Sequence, residues 1–364
     1  MATITYRGGL SVDEVRNQVK ADQIYKLSSN ENPRGPSPLV VQAIQEAALA
    51  LNSYPPRSDD ALRQALVDTY DCGLTLDHFV CTNSGSEALQ IIARAFLEAG
   101  DEFVVCSPTF GAYVRFASTQ GAIPVDAPLR AADFTHDVDA ILAAITERTR
   151  LVFICNPNNP TGVIMPAADF DRLVANIPPH VTIVADQVYE HYVQRTDFPD
   201  TVSHVLAGKP IMIVQTFSKS YGLAGLRLGY VIAPPELGER LRGQLRNFHM
   251  NSISLAAGIA ALQDKAYVQE SARLAEEGKA YLYGELERLE VQTWPSEGQL
   301  CIDSTLRAHR RSLSAAAGAR RHGASDRHVW LPRGIAGDGW LGGSECGLYC
   351  GAGRDIVENG SLGD

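Results

Sequence analysis

The chain has 364 residues, which is enough for one large domain and a smaller one. Hydrophobic residues make up 45% of it and charged residues 20%, the usual balance of a globular protein. The net charge of −10 disfavours a nucleic-acid partner, because phosphate binding requires a basic surface. One basic pocket on an acidic protein can still bind a small anion.

Helical and strand patterns alternate from about residue 37 to residue 235. Ser37 and Ser58 can cap helices that run through Leu51 and Tyr70, and SEALQIIARAFLEAG predicts a helix that ends at Gly100. Six apolar runs then predict strands, at 103–107, 122–127, 151–156, 181–186, 211–218 and 227–233. Apolar strands separated by helices indicate an α/β fold, with a mostly parallel sheet covered on both faces.

The domain boundaries follow from where this pattern changes. We expect an N-terminal arm and part of a small domain at 1–36, and a large domain at 37–245. The small α+β domain should occupy 246–364, and a long amphipathic helix at 266–290 leads into it.

The composition of the chain changes abruptly near its end. Between Cys301 and Cys350, 27 of 50 residues are Gly, Ala, Ser or Arg, and neither helix nor strand periodicity persists. A flexible Arg-rich extension would look like this. We favour a reading-frame shift over residues 300–353, because RDIVENGSLGD again resembles an ordinary terminal helix. An intact reading frame in the source DNA would contradict that hypothesis.

Targeting and redox signals point to the cytoplasm. The first residues lack the basic start and apolar run of a signal peptide, and no run approaches the roughly 18 apolar residues that span a bilayer. Cys106 and Cys155 lie in apolar runs, as reduced core thiols do. Cys346 and Cys350 are not accompanied by a second pair, so we expect no metal site.

The segment TFSKSYGLAGLRLGY contains the first chemical signal, Lys219. A lysine that forms a Schiff base needs neighbours that lower its proton affinity, and Lys219 follows an apolar strand and precedes a Gly-rich turn. Thr216, Ser218 and Arg227 add two hydroxyls and a guanidinium, a set that suits a phosphate dianion. Taken alone, a strand-end lysine near an arginine is more often a surface pair.

Polar residues also follow two other predicted strands, where ligand groups collect in such sheets. Asn159 lies in the rigid turn CNPNNPTG and can present its amide to a ring hydroxyl. Asp186 ends an apolar strand, where a carboxylate needs a cationic partner such as a protonated pyridine nitrogen. Tyr189 can reach the phenolic oxygen of the same ring. A Pro-rich loop and a helix-capping aspartate are the ordinary alternatives.

The segment TNSGSEA at 82–88 precedes a helix and offers a seat for an anion. The helix dipole and free backbone amides favour negative charge there. Gly85, Ser86 and Glu87 would form the seat, although many helix starts look similar.

Together these segments resemble the fold-type I pyridoxal-phosphate (PLP) aminotransferases. SNENPRGPS at 29–37, SGSEA, PTFGAY at 108–113, NPNNPTG, DQVY and TFSKSYGLAGLR stand in that family's order and spacing. SSNENP and FSKSYGLAGLR are most similar to histidinol-phosphate aminotransferases. The resemblance covers residues of about 25 to 235 and implies a seven-stranded sheet.

The resemblance also assigns roles. It implies that Lys219 holds PLP as a Schiff base, that Asp186 contacts the pyridine nitrogen, and that Phe110 stacks on the ring. Asn159 and Tyr189 would contact the ring oxygen. Phosphate contacts would come from Gly85, Ser86, Glu87, Thr216, Ser218 and Arg227.

A homodimer with shared active sites is implied as well. Tyr54 matches a tyrosine that reaches the phosphate in the neighbouring subunit, and Asn32 and Tyr54 are expected to bind substrate. The implied reaction transfers the amino group of L-histidinol phosphate to 2-oxoglutarate, in histidine biosynthesis.

The sequence departs from the family at three positions. Gln187 stands where an acidic residue is common, and Phe110 replaces a usual tyrosine. Gly342, in GWLGGSECG, stands where the arginine that grips the substrate carboxylate is expected. Three alternatives therefore stay open: an aromatic amino-acid aminotransferase, a PLP-dependent decarboxylase of a phosphorylated amino acid, and a catalytically impaired protein that binds the cofactor. A dinucleotide-dependent oxidoreductase is disfavoured, because GLAGLRLG is not the G-x-G-x-x-G fingerprint.

Overall fold

The structure is a computed structural model that describes residues 29–299 and the backbone of residues 302–303. The expectations for residues 1–28, for the anomalous stretch at 300–353 and for Gly342 lie outside the described residues, except for that two-residue backbone.

A seven-stranded sheet forms the centre of the large domain. Its strands are β1 (Phe79–Thr82), β2 (Glu102–Val105), β3 (Ile123–Asp126), β4 (Thr149–Cys155), β5 (Thr182–Asp186), β6 (Ile211–Thr216) and β7 (Gly229–Ile232). They lie in the order β1-β7-β6-β5-β4-β2-β3, and β7 is antiparallel to both of its neighbours while the other pairs are parallel. The prediction of a mostly parallel seven-stranded sheet is confirmed. The edge strand β1 was not predicted, because its uninterrupted apolar run, at residues 79–81, is only three residues long.

Helices cover both faces of the sheet. They are α1 (Pro38–Ala48), α2 (Asp60–Tyr70), α3 (Gly85–Phe96), α4 (Ala112–Ser118), α5 (Val138–Ala143), α6 (Ala167–Asn176), α7 (Thr201–Leu206), α8 (Pro235–Arg242), α9 (Ser252–Gln263) and α10 (Lys265–Arg288). The strands are apolar throughout because both faces of the sheet are buried. In strand β4, Val152 and Ile154 belong to the hydrophobic cluster on one face, and Leu151 and Phe153 belong to the cluster on the other.

Two predicted helix boundaries are corrected at the start of the domain. Ser37 caps α1 as expected, accepting a hydrogen bond from the amide of Val40 at 3.3 Å, but the helix ends at Ala48 and not at Leu51. The N-cap position of α2 is Asp59 and not Ser58.

The end of α3 was also predicted wrongly. The helix stops at Phe96, and Leu97 adopts an extended backbone with its side chain 4% exposed in the core. Burial of Leu97 therefore outweighs the helix propensity of the next residues. Gly100 still turns the chain, with φ of +92°.

The long helix α10 confirms the predicted amphipathic helix. Strands β8 (Thr293–Trp294) and β9 (Ile302–Asp303) form an antiparallel pair beyond it. Helix α9 packs on α1 and α2 in the large-domain core, through residues such as Leu255 and Ala257. We therefore propose a domain boundary after Gln263 in place of residue 245. No helix among the described residues is long and apolar enough to cross a membrane.

Candidate active site

A cavity of about 380 Å³ lies where the carboxyl ends of β4, β5 and β6 meet the start of α3. This is the edge at which parallel strands present their ligand-binding groups. Ten of the thirteen predicted site residues line it: Gly85, Ser86, Phe110, Asn159, Asp186, Tyr189, Thr216, Ser218, Lys219 and Arg227. Residues separated by more than a hundred positions in the sequence thus share one cavity.

Lys219 reaches the cavity from the end of β6. Its Nζ donates to the carbonyl oxygens of Ser29 at 3.0 Å and Asn30 at 3.3 Å. The same atom lies 5.5 Å from the ring centroid of Tyr189. The amine is therefore held at a defined place inside the cavity by backbone acceptors.

Asp186, the last residue of β5, presents a buried carboxylate to the cavity and is 3% exposed. It accepts hydrogen bonds from Tyr113 Oη at 2.7 Å and from the amide of Val188 at 3.4 Å. Burial raises the pKa of Asp186 to about 6, against the lowering effect of these hydrogen bonds and of Lys219. No lysine or arginine of residues 29–299 forms an ion pair with it. A buried carboxylate of this kind suits a protonated ring nitrogen.

The loop after β4 brings an amide and an aromatic ring to the same cavity. Asn159 is 4% exposed, and its neighbour Asn158 is fully buried. The Asn158 side chain donates to the carbonyl of Pro108 at 3.0 Å and accepts from Thr109 Oγ1 at 2.8 Å. Phe110 follows directly, so Asn158 ties the segment that carries the aromatic ring to the loop that carries Asn159.

The start of α3 forms one wall of the cavity. Ser84 caps the helix by accepting from the Glu87 amide at 3.1 Å, and the amides of Gly85 and Ser86 belong to the first turn, where no intrahelical acceptor exists. A Cβ on Gly229 would lie 2.6 Å from the Gly85 nitrogen, so strand β7 can approach this close only as glycine. The free amides of Gly85 and Ser86 thus form a suitable binding site for an anion, the anion seat.

Hydroxyl groups and a guanidinium complete this end of the cavity. Thr216 Oγ1 lies 2.9 Å from Ser218 Oγ and accepts from the Ser218 amide at 3.1 Å. Arg227 adopts a left-handed backbone, with φ of +57°, and its guanidinium donates to the carbonyl of Ala224 at 2.8 Å. The donors converge as a phosphate dianion requires.

Two predicted site residues point elsewhere. The Glu87 carboxylate accepts from the backbone amide of Asn83, so it caps α3 and does not line the cavity. Asn32 donates to Ser271 Oγ at 2.9 Å and to the carbonyl of Ser220 at 3.3 Å, which anchors its segment to α10.

Tyr54 also lies outside the cavity of its own chain. It is 86% exposed, and its ring lies 5.3 Å from the ring of Phe248. The predicted contact with a neighbouring subunit requires such exposure and stays a prediction.

The sequence did not single out several residues that shape the site. Tyr113 and Asn158 stand inside the quoted segments PTFGAY and NPNNPTG, and Asn30 stands inside SNENP, but nothing in a single sequence assigned them contacts. Asn30 Nδ2 donates to Tyr189 Oη at 3.0 Å. Gly229 follows Arg227 by two residues and carried no separate signal.

The fold and this cavity together define a fold-type I transferase, with a strand-end lysine, a buried carboxylate and an anion seat at a helix start. Comparison with known proteins agrees, since the pattern of the family "Aminotransferase class I and II" matches residues 22–330. The histidinol-phosphate aminotransferase of Moorella thermoacetica is 41% identical over 80% of this chain and 75% of its own. The histidinol-phosphate aminotransferase of Anoxybacillus flavithermus is 37% identical, over 82% of this chain and 79% of its own length.

A solved structure is similar as well. The histidinol-phosphate aminotransferase of Sinorhizobium meliloti in complex with pyridoxal-5'-phosphate has a TM-score of 0.70 and 26% identity, over 74% of this chain and 73% of that one. This chain belongs to the class I and II aminotransferase family. The predicted fold class and the resemblance to histidinol-phosphate aminotransferases are both confirmed.

Proposed function

We propose that this protein is a PLP-dependent aminotransferase that transfers the amino group of L-histidinol phosphate to 2-oxoglutarate in histidine biosynthesis. The named relatives support the donor, because several histidinol-phosphate aminotransferases align over most of the chain. The observation that carries the proposal is that Lys219 and Asp186 face one cavity beside an anion seat.

The residues of the cavity fit PLP from one end to the other. Asp186 is buried without an ion-pair partner in the described chain, and would hold the ring nitrogen protonated. Asn159 and Tyr189 would donate to the ring oxygen, and Phe110 offers a face on which the ring can stack. The phosphate would occupy the seat made by Gly85, Ser86, Thr216, Ser218 and Arg227. When bound, PLP supplies an electron sink for the charge that develops at the substrate's α carbon.

Lys219 has two roles in this proposal. Its Nζ would hold the cofactor covalently, and as a free amine it would remove the proton from the substrate's α carbon. The same Nζ would then carry that proton and give it back, acting first as a base and then as an acid. The cavity keeps the amine among buried groups, which limits exchange of the proton with bulk water.

The substrate site and the assembly are also part of the proposal. We infer that Tyr54 of a second copy reaches the phosphate, which makes the enzyme a homodimer with shared active sites. The exposed ring of Tyr54 supports this arrangement. We infer a cytoplasmic location from the biosynthetic role and from Cys81, Cys106 and Cys155, which are buried free thiols.

Borohydride trapping tests the role of Lys219. Reduction of the PLP-loaded protein should fix the cofactor to Lys219, and Lys219→Ala should abolish both the trapped adduct and the visible absorption band. Lys209→Ala, at an exposed lysine of the same domain, is the matched control and should trap like the wild type. A trapped adduct on another residue in Lys219→Ala would refute the assignment.

A panel of amino donors tests the substrate. We expect turnover with L-histidinol phosphate to exceed that with phenylalanine, tyrosine or aspartate. A preference for an aromatic donor would favour the aromatic aminotransferase, and release of carbon dioxide would favour the decarboxylase. Bound PLP without turnover of any donor would favour the catalytically impaired protein.

A further inference from the structure

Asn30 forms hydrogen bonds with both Lys219 and Tyr189, two side chains of the site that carry an exchangeable proton. Its backbone carbonyl accepts from Lys219 Nζ at 3.3 Å, and its side-chain Nδ2 donates to Tyr189 Oη at 3.0 Å. We propose that Asn30 is a positioning residue that turns the phenol hydrogen of Tyr189 into the cavity, and thereby sets the pH at which the PLP-loaded enzyme changes its visible spectrum. The inference rests on the proposed PLP chemistry of Lys219.

The position of Asn30 is fixed by its backbone. Ser29 and Asn30 both adopt left-handed conformations, with φ of +73° and +50°, which non-glycine residues rarely adopt. This turn directs both carbonyl oxygens to Lys219 Nζ and leaves the Asn30 side chain 3% exposed against Tyr189. Local strain at a site is retained when the surrounding contacts require it.

The surroundings of the second polar atom of the Asn30 amide, Oδ1, show which way the amide is turned. Asn30 Oδ1 is buried and has no hydrogen-bond partner within residues 29–299. If the amide were reversed, the NH₂ group would lie there without an acceptor, and buried donors without a partner are rarer than buried acceptors without one. The donor end of the amide therefore faces Tyr189.

This hydrogen bond determines what the phenol can do. A tyrosine hydroxyl has one hydrogen and two lone pairs, so a phenol that accepts from Asn30 directs its own hydrogen elsewhere. Accepting one bond also makes the O–H a stronger donor, because neighbouring hydrogen bonds polarise each other. Tyr189 lines the cavity, so its hydrogen can be donated to an anionic oxygen bound there.

The oxygen concerned is that of the proposed PLP ring. A donor that stabilises the anionic form of a group lowers the pH at which the proton is lost. The ionisable groups that share the cavity with Tyr189 are Glu31, Cys155, Asp186, Lys219 and Arg227. Helix α10 packs against the pair of Tyr189 and Tyr192 through Ala272 and Ala275, which carry no charge.

Spectral titration of the loaded protein without substrate tests the proposal. Asn30→Ala should raise the pH midpoint of the visible band by about half a unit to one unit, the range expected for one neutral hydrogen bond. Asn30→Asp, which is nearly isosteric, should raise it further, because a carboxylate accepts the phenol hydrogen and withdraws it from the cavity. Ser37→Ala is the matched control in the same segment and should leave the midpoint unchanged, since the Ser37 hydroxyl accepts from the Val40 amide and lies outside the cavity.

A double-mutant cycle separates positioning from a structural effect. In a Tyr189→Phe background, Asn30→Ala should produce no further shift, because the hydroxyl through which it acts is gone. An equal shift in both backgrounds, or no shift with either Asn30 variant, would overturn the inference. A wild-type protein that forms no visible band at any pH would instead refute the proposed PLP function.

Discussion

Tyr113→Phe tests the electrostatics of the cofactor site by the loss of one oxygen atom. The Tyr113 hydroxyl donates to Asp186 at 2.7 Å, and both groups are buried. The ring of Tyr113 stacks on Phe153 with centroids 5.0 Å apart, and phenylalanine keeps that contact. The variant therefore removes the hydrogen bond and leaves the packing in place.

The size of the effect follows from the strength of that bond. A hydrogen bond to a charged group contributes about 1.5 to 3 kcal/mol, which is about one to two pH units. Burial already raises the pKa of Asp186 to about 6, and Tyr113 opposes that rise. Without the hydroxyl, the pKa of Asp186 should rise to about 7 or 8. The carboxylate that attracts a protonated ring nitrogen would then be depleted at neutral pH.

The assay is the affinity for PLP as a function of pH. At pH 7 we expect Tyr113→Phe to bind about two- to tenfold more weakly than the wild type, and this difference should disappear above about pH 9, where both carboxyls are ionised. Tyr230→Phe removes another buried hydroxyl, 3.0 Å from Tyr70 Oη, and should show neither effect. A Tyr113→Phe profile that coincides with the wild-type profile would refute the reasoning.

Two further predictions concern stability. Burial lowers the pKa of His136 to about 4, and neither ring nitrogen has a hydrogen-bond partner within residues 29–299. Between about pH 6.5 and pH 4, the imidazole therefore binds a proton in the unfolded chain but not in the folded chain. The free energy of unfolding should therefore fall as the pH is lowered through that window. Measured by chemical denaturation between pH 8 and pH 5, it should fall by about 2 kcal/mol less in His136→Leu than in the wild type. The same pH dependence in both proteins would contradict this. Gly229→Ala should destabilise the protein by about 1 to 3 kcal/mol and weaken PLP binding, because the new Cβ would collide with the start of α3 at Gly85. Gly284→Ala, in α10 with no atom within 4 Å of the new Cβ, should instead be neutral or stabilising, and equal losses in both variants would argue against the collision.

The site residues that stand at the ends of apolar strands or at a helix start could be predicted from the sequence. Asp186 ends an apolar strand, Asn159 and Ser218 each follow one, and the carboxyl ends of parallel strands meet at one edge. Their convergence on one cavity is a consequence of the sheet order, which alternating helices and strands already imply. The anion seat at Gly85 was likewise visible as a helix start after a Gly/Ser turn.

Contacts between distant segments could not be predicted in the same way. Asn30 meets Tyr189 across 159 positions, and a single sequence carries no signal for such a pair. Tyr113 looks like an ordinary core residue of a short helix, because its ring packs in the core and only its hydroxyl reaches Asp186. The end of α3 was missed for a related reason, since the burial of Leu97 depends on tertiary packing.

The pairing of the edge strand has a consequence for synthesis of the chain. Residues 79–82 pair with residues 229–232, and the helix that follows β1 meets Gly229 at its first amide. A ribosome must therefore produce the entire stretch between them before the wall of the anion seat can close. Contacts of such high sequence separation slow folding, because the loop-closure entropy is lost before the contacts form. The nascent chain thus acquires its anion seat late, after the parallel strands β2, β4, β5 and β6 can already have paired.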